Sequence, residues 1–98
     1  MVKIMTIDEL LVKFKALEKI DHSSEDEFLK QLLEMSYTRL KNQCGLFELD
    51  DLTGQELILN RTRYAYQDLL EHFNENYRAD LIDFSLSLME VSESEESI

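Results

Sequence analysis

The stretch Asn60-Arg61-Thr62-Arg63-Tyr64-Ala65-Tyr66-Gln67-Asp68-Leu69-Leu70-Glu71-His72-Phe73-Asn74-Glu75-Asn76-Tyr77 decides the fold. It holds no Gly and no Pro, and its apolar residues return at helical spacing. Ala65, Leu69 and Phe73 are four apart and form one row, which Ile58 extends backwards. Tyr66, Leu70 and Tyr77 form a second row beside it. Tyr64 and Tyr66 are two positions apart, so on a helix their rings point about 200° apart and cannot share one seam. At least one of them is expected on the rim of the core or offered to a partner, Tyr64 before Tyr66. With Thr53-Gly54-Gln55-Glu56 as a capping box, the pattern predicts one central helix that ends near Asn74–Asn76.

Working outward, Ser24-Glu25-Asp26-Glu27 is a second capping box, with Ser23 as the alternative cap. It opens a long helix to about Cys44, with Gly45 expected as a left-handed terminator. Phe28, Leu29, Leu32, Leu33, Ser36, Leu40 and Cys44 form its stripe, widened by Met35 and Tyr37. Further upstream, Thr6-Ile7-Asp8-Glu9 caps a first helix with Ile7, Leu10, Leu11, Phe14 and Leu17 on one face and Lys13, Lys15 and Lys19 towards its end. The Leu46–Leu52 connector carries Glu48, Asp50 and Asp51 without the ligand order or Gly of an EF-hand, and reads as a solvated acidic loop.

Beyond the central stretch, Arg78–Met89 is ambiguous. Leu81, Ile82, Ser85, Leu88 and Met89 fit a helix, while Ile82, Phe84, Leu86 and Leu88 alternate as in a strand. Its length and its Ala79-Asp80 opening favour a helix. Phe84 and Leu86 then fall on opposite margins of the stripe, leaving apolar surface on more than one side. Such surplus points either to a partner or to a different packing within the monomer. The acidic, Ser-rich 90–98 reads as a disordered tail. The expectation is an all-α fold: a small helical bundle with a short N-terminal helix, two long antiparallel helices and a C-terminal helix, spanning 1–89 as one domain.

Composition limits what such a bundle can do. Its 98 residues suit a single modest core. Acids outnumber bases 21 to 10, for a formal charge of -11. That argues against gripping duplex DNA, because each phosphate contact needs a Lys or Arg. It fits solubility, repulsion of DNA or mimicry of it. A single cysteine, Cys44, cannot form an internal disulfide and suits a reducing interior. Met1–Met5 is too short for a signal, and no run approaches the ~18 apolar residues of a membrane span, so a soluble intracellular protein is expected.

Little catalytic chemistry is legible. There is no phosphate-cradling Gly-rich loop, no Cys/His metal spacing and no nucleophile elbow, so neither cofactor nor metal is expected. His72 beside Glu71 is either a base held by an acid or a surface histidine, and Cys44 is either a structural thiol or a nucleophile without a neighbouring base. Arg61 and Arg63, in the first half of the expected helix, gain nothing from its dipole. They are read as pairing with acids such as Asp50 or Asp51, or as bonding a neighbouring subunit.

Arg63-Tyr64-Ala65-Tyr66-Gln67-Asp68, followed by Leu70, Glu71, Phe73 and Asn76, resembles the central helix of the head–tail connector (adaptor) proteins of long-tailed bacteriophages. Ile20-Asp21-His22 with Glu25, Asp26, Leu29, Leu32 and Leu33 is similar to the lead-in to their long second helix. The likeness covers about Thr6–Met89, and the short loop after Gly45 and the acidic tail depart from it. The resemblance implies a non-enzymatic virion protein of the neck that gathers in the host cytoplasm into a ring, typically twelvefold. Free subunits of that kind can stay monomeric until a portal templates them. Its partners would be the portal protein, a stopper or tail-completion protein and copies of itself, with DNA passing through unbound. By this analogy Ile82, Phe84, Leu86, Leu88 and Met89 are candidates for docking on the portal. Arg61, Arg63, Tyr64 and Tyr66 are candidates for subunit contacts, Tyr66 being the one closest to core. The alternative function is a small acidic DNA mimic that inhibits a nuclease or DNA-binding protein.

Overall fold

Thr6 opens the first helix as its capping box predicts, its Oγ1 accepting from the Glu9 amide at 3.2 Å. The computed structural model describes residues 5–96, with side chains to Met89, and every element among them is helical. The elements are α1 (Ile7–Glu18), α2 (Asp26–Cys44), α3 (Leu52–Tyr66), a 3-10 turn (Leu70–His72), α4 (Phe73–Asn76) and α5 (Arg78–Glu96). The ambiguous segment is therefore a helix. Its backbone runs into the stretch read as an acidic tail, 90–98, whose side chains lie outside the described residues.

Two helix starts differ from expectation. The α2 capping box does not form: Glu25 occupies the cap position without a side-chain bond, and Ser24 Oγ instead meets His22 Nδ1 at 2.8 Å. For α3 the cap is Asp51, not Thr53, and its carboxylate accepts from the Gly54 amide at 2.9 Å. A carboxylate at that place satisfies a free amide and also meets the positive end of the helix dipole. Gly45 does end α2, but at φ 128° and ψ 168°, an extended positive-φ conformation and not the left-handed helical one. The positive φ favours glycine there, and Leu88 of α5 packs close by, 3.4 Å from where a Cβ would stand.

The largest departure is the central helix, which stops at Tyr66. Asp68 takes φ 61°, its amide bonds Ala65 O at 3.2 Å, and the Leu69 amide bonds Tyr64 O at 2.8 Å. Those two reversed bonds are a Schellman ending, which breaks the row Ala65–Leu69–Phe73 in the middle. α1 ends in the same way, with Lys19 at φ 58° and bonds from Lys19 to Ala16 O and from Ile20 to Lys15 O. Past the break the chain turns back, and Phe73 is buried between Tyr64 and Tyr77 at centroid distances of 5.7 and 4.8 Å. The second half of the stretch thus covers the first instead of prolonging it.

Bonds at both ends of the α2–α3 pair set its direction. Tyr66 Oη donates to Glu25 at 2.8 Å, joining the end of α3 to the start of α2, and Gly54 near the start of α3 lies against Phe47 just beyond α2. The two helices are antiparallel. α1 lies beside α2, linked by Lys15–Asp26 at 2.8 Å and Lys30–Asp8 at 3.1 Å. Surface pairs of this sort add little to stability, because water screens them. The core is Leu10, Phe14, Leu29, Leu33, Leu40, Leu57, Ile58, Phe73, Leu81 and Phe84 among others, each worth about 1.5–3 kcal/mol on burial. Leu17, Phe28 and Met35, expected on the inner stripes, face outward. The Cα envelope measures 50 × 38 × 18 Å, so even helices with several neighbours keep a face towards solvent.

Candidate interaction surface

On α5, Leu81, Phe84 and Leu88 follow one another at three and four positions and turn inward. Phe84 is 3% exposed and meets Phe47 edge-on at 5.0 Å; Phe47 in turn meets Tyr37 at 5.2 Å. Ile82, Leu86 and Met89 follow at four and three positions, about 100° round the helix, and turn outward. They are 50%, 51% and 55% exposed. The expected docking set therefore divides. Ile82, Leu86 and Met89 form a solvent-facing apolar row, whereas Phe84 is core and Leu88 packs on Gly45. At the head of the row Ile82 borders a groove with Gln43, Asn74, Glu75 and Arg78, where Gln43 Nε2 donates to Asn74 Oδ1 at 3.2 Å.

All four expected subunit contacts make bonds inside the monomer. Tyr64 stacks edge-on with Phe73 and Tyr77, and its hydroxyl accepts from Asn76 Nδ2 at 3.0 Å. Tyr66 meets Phe14 edge-on and bonds Glu25, which raises its pKa. Arg63 lies over the Tyr64 ring and donates to Asn60 Oδ1 at 3.2 Å. Arg61 is half-buried, and its guanidinium donates to Ser36 Oγ at 3.2 Å. Neither arginine pairs with Asp50 or Asp51 among the described residues, since Asp51 caps α3. Because α3 ends at Tyr66, Arg63 sits in its last turn, where the helix dipole favours a cation.

Ser36 and Thr62 are fully buried between α2 and α3, and Thr62 Oγ1 donates to Ser36 Oγ at 3.1 Å. With Arg61 on the same hydroxyl, this polar seam is satisfied and serves the helix pair. The reading of Ser36 as part of an apolar stripe missed it; the signal was Ser36 standing where a large apolar residue is expected. Sequence reasoning also missed Arg39, which shares a surface groove with Arg61, Glu34, Met35, Thr38 and Asn42. Burial, and then the neighbouring Arg39, push the Arg61 guanidinium below its ordinary pKa.

Elsewhere the chemistry is sparse. Cys44 is buried, its thiol 3.8 Å from Leu81 O, as a structural cysteine would be. His72 and Glu71 are exposed, 3.7 Å apart. Among the described residues no three His, Cys, Asp or Glu gather as metal ligands, and no helix is long and apolar enough to cross a membrane. Compared with known families, with curated proteins and with solved structures, the chain matches none.

Proposed function

We propose that this chain is a structural subunit of a phage neck: a head–tail connector that joins the portal to a stopper or tail-completion protein and extends the DNA channel as a ring. The observation that carries the reading is the outward row Ile82, Leu86 and Met89 on a helix whose other face is already packed. Apolar side chains aligned over two turns, beside a polar groove, suit a protein partner better than water. The resemblance of the Arg63–Asp68 segment and the acidic balance of -11 agree with a channel that DNA crosses without being held.

Imaging the chain mixed with its cognate portal tests this. A ring of added density beneath the portal is the expected result. Replacing Ile82 and Leu86 with Ser should abolish it while leaving the free domain helical by circular dichroism. Undiminished docking by that variant would remove the α5 row from the interface. The acidic surplus also fits a second reading, an inhibitor that occupies a basic nuclease. A tight complex with such an enzyme, displaced by DNA, would favour it.

A further inference from the structure

Arg39 and Arg61 come together from α2 and α3, and neither forms an ion pair among the described residues. Glu34 lines the same groove without reaching either guanidinium at ion-pair distance. Of the other described cations, Lys15 and Lys30 have carboxylates, Lys13 has Gln55, and Lys41 and Arg63 lie over tyrosine rings. Lys19 and Arg78 stand singly, so Arg39 and Arg61 are set apart by adjoining one another. In a chain of net charge -11, two adjoining guanidinium groups that attract no carboxylate of their own stand out. Arg61 uses one bond to Ser36, leaving donors on a planar fork shaped for a carboxylate. Exposed Met35 beside them adds an apolar contact.

A chemical counterpart lies on the same chain. The connector between α2 and α3 holds Glu48 and Asp50, both exposed and neither in an ion pair among the described residues, flanked by exposed Leu46 and Leu52. The connector is held in shape by Tyr37 Oη donating to Phe47 O at 2.7 Å and by the Asp51 cap. Glu48 and Asp50 lie close enough to raise the Tyr37 pKa, after burial itself. Tyr37 and Arg39 are two residues apart on α2, so they point about 200° apart. The acidic connector and the arginine groove therefore face opposite ways across α2.

We infer that the Arg39–Arg61 groove receives the Glu48–Asp50 connector of a second copy of this chain. Opposite placement makes the contact head-to-tail, the type that closes into a ring when its rotation permits. It rests on the ring reading above and adds to it the interface and its chemistry. Nucleic acid is a poorer occupant: duplex DNA presents a charge every ~1.7 Å, which two arginines on an acidic protein cannot match.

A charge-swap experiment decides the matter, using the full chain on its cognate portal and, free, in sedimentation at rising concentration. Arg39 is exposed, so Arg39→Glu should keep the circular dichroism and melting of the parent. It should weaken assembly at least about tenfold, since like charges then meet. Glu48→Lys with Asp50→Lys should do the same, and an equimolar mixture of the two variants should assemble again. Parental association by Arg39→Glu overturns the interface but leaves the ring reading intact. Loss in both variants without rescue in the mixture overturns the connector as occupant. Binding of a labelled duplex by the parent chain, abolished by Arg39→Glu, overturns it in favour of phosphate. A parent chain that adds no density to the portal and stays monomeric sinks the ring reading as well.

Discussion

The α2–α3 pair and α5 use their apolar residues differently. Between α2 and α3, Leu33, Leu40, Ile58 and the Ser36–Thr62 hydrogen bond are sealed from water, and α1 covers part of the seam. On α5, Leu81 and Phe84 are sealed, while the row Ile82, Leu86 and Met89, one residue round the helix, meets solvent. Even α2, with α1, α3 and α5 against it, leaves Phe28 and Met35 outward. What sets α5 apart is that Ile82, Leu86 and Met89 line up as one row, and such a row is where a partner is sought.

The sharpest way to break this comparison is to treat two α5 residues alike. Phe84→Ala should cost about 3–5 kcal/mol of stability in a denaturant titration, because it opens a cavity beside Phe47. Leu86→Ser should stay within about 0.5 kcal/mol of the parent, as exposed substitutions do. Equal effects would mean that the two faces of α5 are not distinct. Next in size is Gly54→Ala in α3. Inside a helix Ala usually gains about 1 kcal/mol over Gly. Here a Cβ would run into the Phe47 ring, so a net loss of about 1–3 kcal/mol is expected from the same titration.

Thr62→Val probes the polar seam. It removes the hydroxyl donor to Ser36 at nearly constant volume, and about 1 kcal/mol of destabilisation is expected by thermal melting. Smaller still are the two left-handed residues. Lys19→Gly and Asp68→Gly should each raise stability by up to about 1 kcal/mol, with Lys19→Gly the larger, because Asp tolerates that conformation better than Lys. Finally, the raised pKa of Tyr37 in the folded state means that it holds its proton more firmly there than in the unfolded chain. That contribution is complete below the ordinary tyrosine value near about pH 10 and is lost as pH rises through the folded pKa. A melting temperature that falls above pH 10, less so in Tyr37→Phe, would show it.

How far the comparison was legible varies by residue. The spacing of Arg78–Met89 fits helix and strand alike, and only its length and Ala79-Asp80 opening favour the helix that forms. Thr6 and the α2 stripe through Leu29, Leu33 and Leu40 follow from spacing and capping chemistry. The break at Asp68 does not. Helical periodicity continues through it, and the only local sign is an Asp able to enter the left-handed region. What the break achieves is tertiary: folding back brings Phe73 against Tyr64, nine residues earlier, as well as Tyr77. The same holds for Phe84 and Leu86, equal in hydrophobicity and placed symmetrically about the expected stripe, of which only the first finds Phe47.

By itself, the order of residues determined a helical chain, where most of its helices lie, its acidic balance and its surplus of apolar side chains. Tertiary structure alone decided where the central helix stops, which of those side chains are surplus, and that Arg39 and Arg61 adjoin. Local patterns report on neighbours three or four positions away, whereas burial and charge pairing depend on residues brought close from distant parts of the chain.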